Sequence, residues 1–272
     1  MQAADGAQPL GFVVPLCVAT AEHARVADNC LRSIGRFYPG ACVVVVEDGA
    51  SVKDVSAPMR AHASTWLGNP FPGSGEFGAL FVAAHFQVFT GVKPQRVMML
   101  HDSTVLQRKL TAEELARTER QVWPLWNTQR LYMDIDSASA LVSDDIAPFV
   151  SAEKREQWLR ALGAPDVTVT FGCMVVGPPD ALRATWDMGM IHAARHITSR
   201  AQRCRVERLI SLAMVAASTC PRGTSTTDVM PALCGCIFSH PRHFVHGAPV
   251  TPWDAPERTP DQPFIVKHWL GR

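Results

Sequence analysis

Short apolar runs and amphipathic stretches alternate along the first hundred residues. Phe12 to Ala19 is apolar and predicts a buried strand. Glu22 to Phe37 places Val26, Cys30, Leu31 and Ile34 at helical spacing, and Tyr38-Pro39-Gly40 ends the pattern. Cys42 to Val46 is a β-branched run that predicts a second strand running into a Glu47-Asp48-Gly49 turn. Val52 to His62 reads as a short helix, Ser64 to Leu67 as a third strand, and Asn69 to Gly75 as a loop. Glu76 to Phe89 then predicts a helix and Val97 to Leu100 a fourth strand. This β-α-β-α-β-α-β order predicts an α/β fold with a mainly parallel central sheet flanked by helices.

The second half is less regular. Leu110 to Val122 is read as a helix, with Thr111-Ala-Glu-Glu114 as a capping box. Trp123 to Ser143 carries no clear period. Ser151 to Leu162 predicts a helix that Gly163 stops. Val167 to Val176 predicts a strand broken by Gly172. Asp180 to His196 and Arg203 to Ala217 read as helices, the latter with Val206, Leu209, Ile210, Ala213 and Met214 on one face. From Pro221 onward the chain reads as loops with short strands around Ala232 to Phe238 and Phe264 to Val266. No repeat is visible, and no linker is long enough to separate two independent domains.

Composition narrows the function classes. The formal net charge of the 272 residues is +1, so no global field recruits nucleic acid or an anionic membrane. The apolar run Leu10 to Ala19 contains Pro15 and is too short to span a bilayer. With no basic n-region before it, neither a signal peptide nor a membrane span is expected, and the expected location is cytoplasmic. Eight cysteines without a secretory signal predict free thiols rather than a disulfide framework. Cys234-Gly-Cys236, with His240, His243 and His246 downstream, departs from the usual zinc spacing and reads as the end of a buried element followed by a loop.

Four features carry candidate chemistry. Ligands of open α/β sheets bind outside the carboxyl ends of the strands. Two carboxylates stand at such ends. Asp48, with Glu47 beside it, can accept bonds from a base or ribose or simply form a turn. Asp102, in His101-Asp102-Ser103-Thr104, can hold a divalent cation, or can cap a turn. The glycine-bearing loop from Asn69 feeds a helix N-terminus, where backbone N–H groups can meet a diphosphate. Glu207, near the start of an amphipathic helix, can act as a general base toward an acceptor hydroxyl, or can pair with neighbouring arginines at the surface.

In order along the chain, Phe12–Ala19, Val43–Ser51, Asn69–Leu80 and Met98–Ser103 resemble the landmarks of GT-A glycosyltransferases, especially the family 2-like group. Further motifs resemble glycosyltransferase-like proteins of large DNA viruses and some microbes. They are Gly73-Ser74-Gly75-Glu76, His101-Asp102-Ser103, Trp123-Pro124-Leu125-Trp126, Phe171-Gly172-Cys173, Val206-Glu207-Arg208 and Val266-Lys267-His268-Trp269-Leu270-Gly271-Arg272. The resemblance spans nearly the whole chain. It implies a single GT-A (nucleotide-diphospho-sugar transferase, Rossmann-like) domain over 1–272, with a nucleotide-binding half at 1–109 and an acceptor-side half and tail at 110–272. For a viral protein, the location would be the host cytoplasm.

The resemblance also implies roles. Thr20 would edge the nucleotide pocket, with Glu47 and Asp48 at the base or ribose. Gly75, Glu76, His101, Asp102 and Ser103 would lie around the donor. Asp102 and His268 would hold Mn²⁺ or Mg²⁺, and Glu207 would be the base of an inverting transfer from a nucleotide sugar to a glycan or other hydroxyl acceptor. One departure stands out: the family's Asp-x-Asp has a single acid here, because Leu100 and Thr104 flank Asp102 at the two possible second positions. The loss of that acid keeps a second expectation open, a non-catalytic carbohydrate- or nucleotide-binding module. A nucleotidyltransferase would want basic residues near the phosphate loop, and 69–76 contains none.

Overall fold

Four of the predicted strands pair in parallel. The computed structural model describes residues 10–48, 56–128, 140, 142–162, 169–170, 172–195, 197, 199–217, 233–234, 244–246 and 264–269. Its first half runs β1 (Leu10–Leu16), α1 (Ala21–Phe37), β2 (Val43–Glu47), α2 (Ala57–Arg60), β3 (Thr65–Gly68), α3 (Glu76–Ala84), α4 (Phe86–Thr90) and β4 (Arg96–Met99). There follow β5 (Thr104–Leu106), α5 (Ala112–Arg117), β6 (Trp123–Pro124), β7 (Asn127–Thr128), α6 (Ala152–Leu162), β8 (Val169–Thr170) and β9 (Val175–Gly177). The last elements are α7 (Pro179–Trp186), α8 (Met190–Arg195), α9 (Arg200–Ala217), β10 (Phe244–His246) and β11 (Ile265–Trp269).

The main sheet has the order β3-β2-β1-β4-β9-β6. Its first four strands are parallel, β9 is antiparallel to β4, and β6 is antiparallel to β9. A second sheet, β10-β11-β5, stands beyond the end of β4, and a two-stranded pair joins β7 and β8.

Alternation within the strands explains why their sequences look uniformly apolar. Val13, Val44, Val46, Val97 and Met99 face one core layer with α3, α7 and α9. Phe12, Val14, Leu16, Val43, Val45, Met98 and Leu100 face the other, with α1. Both faces are covered, so no polar alternation is left to read. Helix α3 is apolar nearly all round, as a helix enclosed by its neighbours must be, with Phe77, Leu80, Val82 and Ala83 buried.

Several boundaries differ from the sequence expectation, each for a local reason. The helix expected over Glu76 to Phe89 breaks at His85, whose ring Nδ1 lies 2.9 Å from the Phe81 carbonyl. The strand expected over Val167 to Val176 breaks where Gly172 and Cys173 both take positive φ (61° and 55°). The helix expected over Asp180 to His196 divides before Met190, next to Gly189 at φ +100°. Helix α5 ends early because Thr118 Oγ1 donates to the Leu115 carbonyl, although its capping box forms as predicted. Leu233 and Cys234 form a turn whose amides donate to Pro124 and Leu125, rather than the start of a strand. Phe171, Cys236, His240, His243 and residues 270–272 lie outside the described residues.

Candidate functional site

The carboxyl ends of β1, β2 and β4 carry most of the singled-out residues, because the sheet pairing runs on past the strands. The Asp48 amide donates to Leu16 O, the Leu100 amide to Val13 O, and the Asn69 amide to Glu47 O. Asp48, Asn69 and the turn after β4 therefore line one edge of the parallel sheet.

Asp48 latches the glycine loop. Its Oδ1 accepts the Gly73 N–H at 2.7 Å and its Oδ2 the Gly75 N–H at 2.5 Å. Asn69 closes the same loop, donating from Nδ2 to the Gly75 carbonyl (3.2 Å) and accepting the Phe71 amide (2.8 Å). The Ser74 amide donates to the Phe71 carbonyl. The amides of Gly73, Ser74 and Gly75 are thus turned inward onto the protein, and the loop leads directly into α3 at Glu76. From the other side, Arg203 of α9 lies against Gly75. A Cβ at that glycine would stand 3.2 Å from Arg203 Cδ and 3.9 Å from Asp48 Oδ2.

The turn after β4 is a charged cluster. Asp102 is 8% exposed, and its Oδ2 accepts the Cys17 N–H at 3.1 Å, tying the ends of β1 and β4 together. Lys267 of β11 reaches the turn because β11 pairs antiparallel with β5, with Lys267 opposite Thr104. Its Nζ lies 2.5 Å from Ser103 Oγ and 2.8 Å from His101 Nδ1. An ammonium only donates, so Nδ1 accepts and the imidazole proton sits on Nε2. That nitrogen faces Glu76 Oε1 at 3.4 Å. Gly172 makes room for the ring, since a Cβ there would stand 2.3 Å from His101 Cε1.

Enclosure raises the Glu76 carboxyl above its usual range. Its own amide and the charges of Arg203 and Lys267 pull it part of the way back, and Asp102 pushes it up further. Beneath the turn, burial and the Asp102 charge push the Cys30 thiol up to about 12, so Cys30 is an inert packing group.

The remaining candidates have local roles. Thr20 caps α1, its side chain accepting the His23 amide. Glu47 pairs with Arg60 at 3.3 Å, and Arg60 lies over the Trp66 ring at 4.7 Å. The Glu207 backbone belongs to α9, one turn past Arg203. His268 follows Lys267 in β11, so strand alternation sends its side chain to the opposite face from the ammonium, and its amide donates to Ser103 O at 2.8 Å.

Sequence reading gives no role to Lys267, Arg203 or Asn69, and it reads Gly172 as a strand break that could let backbone approach an acceptor sugar. The available signal for Lys267 is a lone lysine in the otherwise apolar run Phe264-Ile265-Val266, a position that burial makes costly unless it is used.

These residues do not fit a divalent cation. Such an ion wants several oxygen ligands, usually including more than one carboxylate. Among the described residues no group of three or more His, Cys, Asp or Glu side chains is arranged to hold a metal. Asp102 already accepts a backbone N–H, and the ammonium of Lys267 is bound to the residues on either side of it.

No protein-family model matches the chain, and no curated protein matches it. Solved structures do. Mouse xyloside xylosyltransferase 1, in its apo form, is 12% identical over 75% of this chain and 81% of its own, at a TM-score of 0.42. Core-mannan synthase A from Aspergillus fumigatus, in a Mn/GDP form, is 9% identical over 78% of this chain and 72% of its own, at 0.45. The galactosyltransferase LgtC, in complex with donor and acceptor sugar analogues, is 9% identical over 73% of this chain and 70% of its own, at 0.38.

Proposed function

We propose that this protein is a glycosyltransferase that moves a sugar from a nucleotide diphosphate to an acceptor hydroxyl with inversion. The observation that supports this most is the convergence of Asp48, Glu76, His101, Asp102 and two cations, Lys267 and Arg203, at the carboxyl edge of a parallel sheet. Such edges bind nucleotides in open α/β folds. The ordered motifs that resemble GT-A enzymes, including the family 2-like and viral groups, assign the same edge to the donor. Residues 1–109 would then hold the nucleotide, and the acceptor would approach from the 110–272 side.

In the reaction, the donor C1–O bond breaks and its electron pair leaves on the diphosphate. The acceptor oxygen bonds to C1 from the opposite face and gives its proton to the carboxylate of Glu207. Glu207 follows Arg203 by one turn of α9, and Arg203 lies at the glycine loop; that spacing supports Glu207 in this role.

The test has two parts. Nucleoside diphosphates and nucleotide sugars are screened for a rise in melting temperature, since a bound donor stabilises the native state by mass action. The stabilising donor is then followed by NMR with candidate acceptors, for wild type, Asp102→Ala and Glu207→Gln. Transfer with inversion, lost in both variants, is expected. Unchanged turnover in Asp102→Ala would remove that residue from the mechanism.

A second reading, a carbohydrate- or nucleotide-binding module without turnover, is favoured by one observation: Leu100 and Thr104 stand where a second acid is wanted. Binding of a nucleotide sugar without transfer or hydrolysis would select it.

A further inference from the structure

We propose that Lys267 supplies, as a fixed ammonium, the positive charge that holds the donor diphosphate, so that donor binding by this protein needs no divalent cation. The proposal rests on the nucleotide-sugar reading above and deepens it.

Lys267 is 6% exposed, on a strand whose neighbours Phe264, Ile265 and Val266 are core residues. An apolar residue would cost nothing there, whereas an ammonium must be desolvated. It is bonded to Ser103 Oγ and His101 Nδ1, a hydroxyl and an imidazole rather than carboxylates. They orient the ammonium at the turn after β4. They are also the residues on either side of Asp102, so the ammonium stands at the turn that the donor reading assigns to the diphosphate.

The carboxylates around it are in part already committed. Both oxygens of Asp48 accept loop amides, and the Glu76 carboxyl is shifted toward its neutral form by enclosure. Two cations, Lys267 and Arg203, bear on Glu76, which leaves the cluster better suited to a phosphate group than to a further cation. As the C1–O bond breaks, negative charge grows on the departing diphosphate oxygen. A preoriented ammonium stabilises that charge with no ion to recruit.

Calorimetry tests this with UDP, GDP, ADP and dTDP and the matching nucleosides, in EDTA and in Mn²⁺. Wild type is expected to bind its diphosphate equally well, within about twofold, in both media. Lys267→Met is expected to weaken the diphosphate by about tenfold or more while leaving the nucleoside within about twofold, because only the phosphates meet the ammonium. Lys267→Arg should recover part of the loss. Lys267→Asp places a second carboxylate beside Asp102 and should make binding depend on Mn²⁺. The proposal is overturned if EDTA abolishes wild-type diphosphate binding, or if Lys267→Met weakens nucleoside and diphosphate alike, as a purely structural lysine would. If Lys267→Met does not fold, the wild-type EDTA comparison and Lys267→Arg still decide. Absence of any nucleotide binding by wild type overturns the glycosyltransferase reading itself, whereas binding only with Mn²⁺ overturns the lysine alone.

Discussion

Asp48 and Asp102 stand at the carboxyl ends of β2 and β4, the two parallel strands that flank β1, and they are held in different ways. Asp48 spends both oxygens on the amides of Gly73 and Gly75, and Asn69 finishes the same latch. Asp102 accepts the Cys17 amide and lies beside His101, Ser103, Lys267 and Glu76 in a cluster of charged and titratable groups. A carboxylate saturated by backbone N–H groups shapes a loop. A carboxylate set among charged and titratable side chains is placed for chemistry. Residue type and position on the sheet are the same in both, so the partners decide the role.

The sharpest way to break this contrast is to remove each carboxylate in turn. Asp48→Ala deletes two hydrogen bonds to a charged acceptor and strands two loop amides, a loss of about 3–4 kcal/mol of stability. Asp102→Asn keeps the shape and the Cys17 amide contact, and is expected to cost about 1 kcal/mol. Urea unfolding of both variants measures this. Donor turnover should fall most in Asp102→Asn, in the reverse order to stability. Equal stability losses would erase the distinction.

A smaller effect separates the two regions through their glycines. At Gly78 a Cβ would lie 1.7 Å from Asn69 Oδ1, against the latch. Alanine is worth about 1 kcal/mol in a helix interior, so Gly78→Ala would stabilise an open site. Here the clash wins, and a net loss of about 2 kcal/mol is expected from overpacking. Gly172→Ala meets the His101 ring at 2.3 Å and forces a side chain onto φ +61°. Its stability cost is similar, about 2 kcal/mol. It also displaces the imidazole that links Lys267 to Glu76, so it should weaken diphosphate binding in calorimetry, whereas Gly78→Ala should not do so beyond its effect on folding.

The two regions were also unequally legible. Strands β1, β2 and β4 are apparent in the sequence because sheets covered on both faces leave unbroken apolar runs such as Val43 to Val46. Asp48 and Asp102 are apparent because each ends such a run. Neither of their roles is. The Asp48 latch depends on amides 25 and 27 residues away, and Lys267 meets His101 and Ser103 across more than 160 residues through a strand pairing that no local period announces. A side-chain-to-backbone contact breaks the helix at His85, and positive φ breaks the pattern at Gly172 and Gly189; each overrides an apolar run that would otherwise continue.

A third carboxylate tests whether being clamped by donors marks a structural acid in general. Glu114 accepts Arg108 through both oxygens, at 2.7 and 2.8 Å, and the Thr111 amide at 2.7 Å. Burial alone would raise its pKa, but the guanidinium and the amide outweigh burial and hold it below the ordinary 4.5. A group depressed in the folded state contributes stability that is fully present above its unfolded value and is lost as pH falls through the folded one. Stability should therefore decline from about pH 4.5 downward, with about 1 kcal/mol of the decline belonging to this bidentate pair and cap. In Glu114→Gln that part of the pH dependence should vanish from melting curves taken at pH 3 to 6, with nucleotide binding at neutral pH untouched. If Glu114→Gln instead weakened nucleotide binding, saturation by donors would no longer separate acids that shape the fold from acids that serve the site.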